Sequence, residues 1–201
     1  MRLRRPADGV ASAGRRTHLR NVDDRIASVI GFWSEAGERG RWFAKNANFD
    51  RVFHDRFLDL HMEVAARHHD AWTATADGSL ALLILTDQFP RNAFRGTGHM
   101  YATDPLARHY ARQALDAGHM EQVTPDLRLF FCLPFAHSEE VADQELSVTL
   151  NARLGQPWLD HAKGHREIIR RFGRFPHRNP MLGRDTTAEE AEFLKAGGFH
   201  G

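Results

Sequence analysis

The segment 79–88 (SLALLILTDQ) constrains the fold of this chain most, because its first seven residues are all small or apolar. A helix formed by them would be apolar on every face. A helix that is apolar all round must be covered on all sides by other elements. A buried β-strand is the alternative for so short an apolar run, but leucine and alanine favour a helix. The sequence therefore predicts a central helix around which the rest of the chain packs.

Start and stop signals for helices recur along the chain, and no convincing strand pattern appears. Asp104-Pro105 places a proline at a helix start, and Gly118 follows the end of that helix. Two overlapping capping boxes in 186–190 open a last helix, which Gly197 ends. These signals predict about eight helices with short connections, and hence a single all-α domain over residues 21–201. The other helices are expected over 21–33, from an Asn48 cap to about Trp72 with Asp77-Gly78 as the break, from Thr124 through Phe130, from Ser138 to Leu154, and over 157–172.

One polar motif occurs twice, as DQFPRN at 87–92 and as GRFPHRN at 173–179, each followed by a further arginine, a glycine and a threonine. Proline disfavours helical geometry in the residue before it. We therefore expect a helix to end near Phe89 and another near Phe175, with both rings in the core. The Arg and Asn that follow would lie just past a helix C-terminus, where backbone carbonyls are unpaired.

Two interpretations of these loops remain open at this stage. In the first, Arg91, Arg178 and the asparagines cap the free carbonyls and pair with Asp87 or Glu139. In the second, the guanidinium groups converge on an anion, since their fork geometry suits carboxylate and phosphate. The candidate ligand-binding residues are Gln88, Arg91, Asn92, Arg95, Arg174, Arg178, Asn179 and Arg184.

A second candidate site is the tripeptide His137-Ser138-Glu139. Ser138 fits a helix N-cap, and Glu139 fits a carboxylate in the first turn. Immediate neighbours rarely face each other, so the three residues do not form a catalytic triad by themselves. His137 is instead a candidate general base whose partner comes from elsewhere in the chain. The candidate catalytic residues are His137, His177, Asp87 and Glu139.

The formal net charge of +1 is unevenly distributed. Residues 1–20 contain six arginines and one aspartate, a balance of +5, which leaves −4 for the rest of the chain. We expect residues 1–20 to be a disordered basic extension. A domain of net negative charge is not expected to bind nucleic acid. No window approaches the roughly 18 apolar residues of a membrane span, and no secretory signal is present, so we expect a cytoplasmic protein without a membrane partner.

The sequence offers no recognisable cofactor motif. It lacks a phosphate-binding glycine loop, a dinucleotide-binding motif and a cysteine zinc site. His161 and His165 are four residues apart, but Ala162 stands where a zinc protease needs glutamate. We therefore expect neither metal nor cofactor. Cys132 lies in an apolar run and is expected to be a buried, inert thiol.

Several longer stretches carry a resemblance to a known family. They are VIGFW at 29–33, RWF at 41–43, LTDQFPRN at 85–92, FRGT at 94–97, LPF at 133–135 with HSE at 137–139, and RFGRFPHRN at 171–179. Together they resemble a bacterial family of unknown function, over roughly residues 22–195. The resemblance implies an all-helical, tetratricopeptide-like superhelix and brings no established activity. Ala136 departs from the family pattern, which has a bulkier or acidic residue before His-Ser-Glu.

Function therefore depends on the residues themselves. The leading hypothesis is a binding module whose arginine-lined pocket holds a small anionic ligand or a peptide carboxylate. The alternative is a hydrolase with His137 or His177 as general base, Asp87 or Glu139 orienting it, and arginines stabilising an oxyanion. A third hypothesis makes the motifs architectural and places the function at an interface with a protein partner.

Overall fold

The computed structural model describes residues 10–199, with side chains from Asp24 onward. This part of the chain is all-α, as predicted, and eight of its helices have eight residues or more. Of the basic extension predicted over residues 1–20, residues 1–9 lie outside the described part and residues 10–20 belong to the backbone of the first helix. The helices are α1 (Val10–Glu38), α2 (Ala47–Ala65), α3 (Ala76–Leu83), α4 (Phe89–Ala93), α5 (Asp104–Asp116), α6 (Leu129–Ala136), α7 (Val141–Leu154), α8 (Trp158–Phe172) and α9 (Ala188–Lys195).

The apolar segment forms the centre of the fold. Every residue from 78 to 90 is buried, and α3 packs against α1, α5 and α6, while α4 packs against α2. Aromatic rings fill the space on the α1–α2 side, where Trp33 and Phe53 are fully buried and lie 5.4 Å apart between ring centres. The prediction of a central helix with a covering shell is therefore confirmed. None of the helices within residues 10–199 is both long and apolar enough to cross a bilayer.

The first Phe-Pro step does not end a helix, contrary to expectation. The chain passes from α3 through one wide turn, Ile84–Gln88, directly into α4. This is a π-type turn, since the Phe89 amide donates to the Ile84 carbonyl five residues back. Pro90 causes the widening, because its ring would clash with the carbonyl four residues earlier and it has no amide hydrogen to donate. Arg91 and Asn92 consequently lie inside α4 and not beyond a helix end.

The second Phe-Pro step follows a helix that has already ended. α8 stops at Phe172, and Gly173 takes the left-handed conformation (φ +70°) that terminates helices. Phe175 is extended and fully buried, as predicted for its ring, and a short 3₁₀ turn, Pro176–Arg178, carries the rest of the motif. The two copies of the motif therefore share a sequence but have different backbone conformations.

Several predicted helix boundaries are wrong. The first helix continues beyond Trp33 to Glu38, and α7 begins at Val141 and not at Ser138. The residues after Thr124 form a 3₁₀ turn, Pro125–Leu127, before α6 begins. Asn46, not Asn48, caps α2, because its side chain accepts the Phe49 amide hydrogen at 3.0 Å. The helix ends at Ala65, and Trp72 belongs to a separate 3₁₀ turn, Asp70–Ala74. Asp77-Gly78 lies in the first turn of α3, whose cap is Thr75.

The C-terminal half of the fold carries a smaller core. α7 and α8 pack along each other as a helical hairpin joined at Gly155, and α6 packs against α7. Ile169 and Phe175 form the centre of this second cluster, with Phe172 and Phe193 partly buried against it. α9 opens with the predicted capping box, in which Thr187 and Glu190 satisfy each other's backbone amides. Packing of successive helices in this manner is compatible with a tetratricopeptide-like arrangement.

Candidate functional site

The strongest candidate site lies where the π-type turn meets the end of α6. His137 is the first residue after α6, and Asp87 lies within the turn Ile84–Gln88. His137 Nδ1 is 2.9 Å from Asp87 Oδ1 and 3.1 Å from Oδ2. Two of the candidate catalytic residues, 50 positions apart in the sequence, are therefore hydrogen-bonded to each other.

Asp87 is a buried anion with three donors. Its side chain is 1 % exposed and accepts hydrogen bonds from His137 and, at 2.6 Å, from Gln88 Nε2, while Arg91 Nη1 is 3.0 Å from Oδ1. Burial by itself would raise the pKa of Asp87, but the charge of Arg91 and the contact with His137 outweigh it and lower the pKa to about 2. Asp87 is thus ionised at neutral pH, and only an Nδ1–H tautomer of His137 can donate to it.

His137 is a neutral imidazole at neutral pH. Burial and, after it, the nearby Arg91 charge lower the pKa of His137, although Asp87 opposes this shift. With the proton on Nδ1, the Nε2 atom carries a lone pair, and it has no hydrogen-bond partner among residues 24–199. The side chain is 17 % exposed, so it is not sealed inside the core. This combination is the ground state of a general base oriented by a carboxylate.

Arg91 and Asp104 extend the ionic contacts behind Asp87. Arg91 donates through Nη1 to the Asp87 backbone carbonyl at 2.7 Å and through Nη2 to Asp104 Oδ2 at 3.1 Å. Asp104, the first residue of α5, also lies 3.5 Å from Arg178 Nη1. Arg178 in turn donates through Nη2 to the His137 backbone carbonyl at 2.9 Å. Arg178 and Asp87 are therefore connected through Asp104 and Arg91, and both contact His137.

Arg178 is held in place by aromatic rings as well as by charge. Its guanidinium carbon lies 4.5 Å from the centre of the Tyr101 ring and 4.6 Å from that of Phe175. Its pKa is lowered by burial and by the neighbouring Arg91 charge. No motif in the sequence marks Tyr101 or Asp104 as members of this site. Asp104-Pro105 indicates only a helix start, because no local pattern distinguishes a capping aspartate from an ion-pairing one.

The five candidate arginines do not converge on one point. Arg91 and Arg178 share Asp104, whereas each of the other three pairs with a different carboxylate. Arg95 Nε is 2.9 Å from Asp50 on α2, Arg174 Nε is 2.6 Å from Glu190 on α9, and Arg184 Nη2 is 2.9 Å from Glu139.

The candidate amides and Glu139 have structural partners. Asn92 Nδ2 donates to the Gln88 carbonyl at 2.9 Å, and Asn179 Nδ2 donates to Glu190 at 3.2 Å. Glu139 accepts the Phe175 amide hydrogen at 2.9 Å in addition to Arg184, and these contacts outweigh burial in lowering its pKa. Glu139 therefore joins the second motif to the start of α7 and does not orient His137.

Comparison with known proteins identifies the family. The family model described as "Bacterial protein of unknown function (DUF924)" matches residues 29–198. The chain belongs to the DUF924 family. The solved structure titled "Structure of Protein of Unknown Function ATU0120 from Agrobacterium tumefaciens" is 52 % identical to it, with a TM-score of 0.85. The match covers 88 % of this chain and 99 % of that one. No curated protein matches this DUF924 chain.

A cleft of about 400 Å³ lies between α8 and α9 of this DUF924 protein, and neither His137 nor Asp87 is among its lining residues. Its lining includes the apolar side chains of Ile168, Phe172 and Phe193, together with His165. The His165 ring centre lies 6.5 Å from that of His137, so one imidazole borders the cleft and the other lies next to it. Burial, followed by the neighbouring His137 and Arg178, lowers the pKa of His165 to about 3, which keeps it neutral.

His177, the other candidate base, contacts two phenylalanine rings. Its ring contacts Phe175 at 5.7 Å and Phe199 at 5.0 Å between centres. Phe199 also contacts His165 at 4.6 Å and lines the cleft. Among residues 24–199 of the DUF924 protein, no three His, Cys, Asp or Glu side chains are arranged to hold a metal ion.

Proposed function

We propose that this DUF924 protein is a hydrolase in which His137 acts as general base and Asp87 orients it. The observation that supports this most is the hydrogen bond of 2.9 Å between His137 Nδ1 and the buried Asp87 carboxylate, with Nε2 left without a partner among the described side chains. A general base needs a lone pair facing its substrate and a fixed ring orientation. Asp87 supplies the orientation, and the lowered pKa of His137 keeps the lone pair available at neutral pH.

The proposed chemical step is proton transfer to His137. Nε2 takes a proton from a water molecule as that water attacks the carbonyl of an ester. The imidazolium that forms is stabilised by the Asp87 carboxylate, and Arg91 keeps Asp87 ionised throughout. Nε2 then returns the proton to the leaving oxygen. Each guanidinium near the site is already engaged by a carboxylate, so we assign no arginine to oxyanion stabilisation.

The cleft between α8 and α9 supports a substrate with an apolar group. Its volume of about 400 Å³ is at the small end of the usual range for small-molecule sites, roughly 300–1,000 Å³. Asp160, Glu167 and Arg171 also line the cleft, and Arg171 stacks on Phe172 and pairs with Glu189. An uncharged ester with a short acyl or aryl group fits this lining better than an anion does. His165 lines this cleft, and its ring centre lies 6.5 Å from that of His137.

The test measures the rate at which the protein hydrolyses a panel of uncharged aryl esters, phosphomonoesters and anionic esters. The rate is measured at several pH values. We expect hydrolysis of uncharged esters to fall about 10²-fold to 10⁴-fold in His137→Gln and to a similar extent in Asp87→Asn, the usual contribution of a general base. The rate should rise with pH through the pKa of His137, because only its neutral form accepts a proton.

His69 offers a matched control. Its Nε2 lies 2.6 Å from Glu63, and its side chain is 13 % exposed, close to the 17 % of His137, although Glu63 itself is 41 % exposed. His69→Gln should leave hydrolysis unchanged. Equal rates in wild type and His137→Gln, or no turnover across the panel, would contradict the proposed function.

A further inference from the structure

Pro90 removes the regular α-helical donors of two carbonyl groups in the central segment. In a regular α-helix the Thr86 carbonyl would accept from residue 90, but proline has no amide hydrogen. The Leu85 carbonyl would accept from Phe89, whose amide instead donates to Ile84. Both carbonyls are buried and immediately precede Asp87. An unpaired buried carbonyl is unfavourable, so this conformation needs donors from elsewhere.

Two side chains from outside the central segment donate to these carbonyls, one from α2 and one from the residue that precedes α5. The Thr103 hydroxyl donates to the Thr86 carbonyl at 2.6 Å, and His61 Nδ1 donates to the Leu85 carbonyl at 2.9 Å. Since a carbonyl only accepts, His61 must carry its proton on Nδ1. Both donors are themselves buried, with exposed fractions of 8 % for Thr103 and 0 % for His61. Neither residue touches His137.

The position of these donors links them to Asp87. Thr103 immediately precedes Asp104, so one short segment contacts both the turn Ile84–Gln88 and Arg91. His61, on α2, stacks on the Phe89 ring at 4.8 Å between centres, so it contacts both ends of the turn. Without these contacts the turn would tighten or shift, and Asp87 would move relative to the end of α6.

We propose that Thr103 and His61 are positioning residues, which hold the turn in the conformation that brings Asp87 to His137. The consequence for activity rests on the proposed function, whereas the consequence for the Asp87–His137 hydrogen bond does not. Pro90 creates the widened turn, and the two donors make it the stable conformation.

The experiment measures the tautomer of His137 by ¹⁵N NMR of the imidazole nitrogens, with the signals assigned by their loss in His137→Gln. In the wild-type protein we expect Nδ1–H to predominate. Thr103→Val removes the hydroxyl without changing the shape of the side chain. His61→Phe removes the other donor and retains an aromatic ring against Phe89. Both should shift the ratio of tautomers toward Nε2–H by about threefold or more, because the tautomer follows the hydrogen bond that Nδ1 makes.

Conservative variants and a matched control separate positioning from general destabilisation. Thr103→Ser and His61→Asn each keep a donor near the same place and should restore the wild-type ratio. Ser79→Ala removes another fully buried hydroxyl, which bonds His119 at 2.9 Å away from the turn, and should leave the ratio unchanged. Thermal unfolding of all variants shows how much stability each one loses.

The inference is overturned if Thr103→Val and His61→Phe lose stability as Ser79→Ala does but keep the wild-type tautomer ratio. Ester hydrolysis is measured on the same samples, and its turnover number should fall in Thr103→Val and recover in Thr103→Ser. If the wild-type protein hydrolyses no ester, the proposed function fails, and the NMR result still decides whether the two residues position Asp87.

Discussion

Replacement of Arg91 by alanine is the most informative single change in this protein. Arg91 is the cation shared by two buried carboxylates, with Nη1 3.0 Å from Asp87 Oδ1 and 2.9 Å from Asp104 Oδ1. It also donates to the Asp87 backbone carbonyl at 2.7 Å. Alanine would leave both carboxylates buried without their principal counter-ion, since Arg178 is in ion-pair contact only with Asp104.

The expected cost is large. Removing one partner of a buried ion pair typically destabilises a protein by about 3–5 kcal/mol. For a domain of this size each kcal/mol lowers the melting temperature by about 2–4 °C, so Arg91→Ala should lower it by roughly 6–20 °C. A site in which arginines were held only for a ligand would predict an intact fold. The structure predicts a weakened one.

The effect of Arg91→Ala on the free energy of unfolding should depend on pH. The pKa of Asp87 is lowered to about 2 in the folded protein, against an ordinary value of 3.8, so its ionisation stabilises the fold by about 2 kcal/mol above pH 4. That contribution is lost as the pH falls from about 4 to 2. Without Arg91, burial raises the pKa of Asp87. Asp87 therefore takes up a proton at a higher pH in the variant, which removes the buried unpaired charge and its destabilising effect. The stability difference between wild type and Arg91→Ala should therefore narrow between pH 7 and pH 4.5.

The measurement is urea unfolding of both proteins at several pH values. Arg95→Ala is the matched control, because Arg95 pairs with a single carboxylate, Asp50, and is 36 % exposed. It should cost less than about 1 kcal/mol. A loss below 1 kcal/mol in Arg91→Ala, or a difference that widens as the pH falls, would refute the role we assign to Arg91.

Three further predictions concern local packing and burial. Gly78→Ala should destabilise the fold by about 1–3 kcal/mol in urea unfolding, because the added methyl would overlap the Trp72 carbonyl oxygen. Gly164→Ala should instead stabilise the fold by about 0.5–1 kcal/mol, because the added methyl on α8 meets open space. Cys132 is fully buried, and burial raises the pKa of its thiol to about 12, so it should not react with a thiol reagent in the native protein and should react fully in urea.

Features that depend on local sequence were predicted well. The all-round apolar composition of 79–88 predicted the central helix, and the capping box of α9 was visible in Thr187 and Glu190. Side-chain chemistry predicts that a carboxylate, Asp87 or Glu139, orients His137, and in the structure Asp87 is its hydrogen-bond partner. Residue type and spacing were sufficient in these cases because each rule acts within one helix or one side-chain pair.

Features that depend on distant partners could not be predicted. Pro90 was expected to end a helix, and that rule failed because Thr103 and His61 replace the lost backbone donors from 13 and 29 residues away. Of the two interpretations of the arginines, convergence on one anion does not fit the structure, since Arg95, Arg174 and Arg184 pair with carboxylates on α2, on α9 and just before α7. Nothing in the spacing of one sequence identifies which acid faces which base.

The buried ionic contacts themselves favour a functional origin for the site. An ion pair in the core often contributes no more stability than apolar side chains of the same volume would, because desolvation offsets the attraction. Asp87, Arg91, Asp104 and Arg178 are therefore poorly explained as a device for stability. What they share is His137, which Asp87 and Arg178 both contact directly. A network with only a structural role has no need to end on a partly exposed imidazole. A general base, by contrast, needs a fixed tautomer and an ionised carboxylate partner. These four residues together provide both.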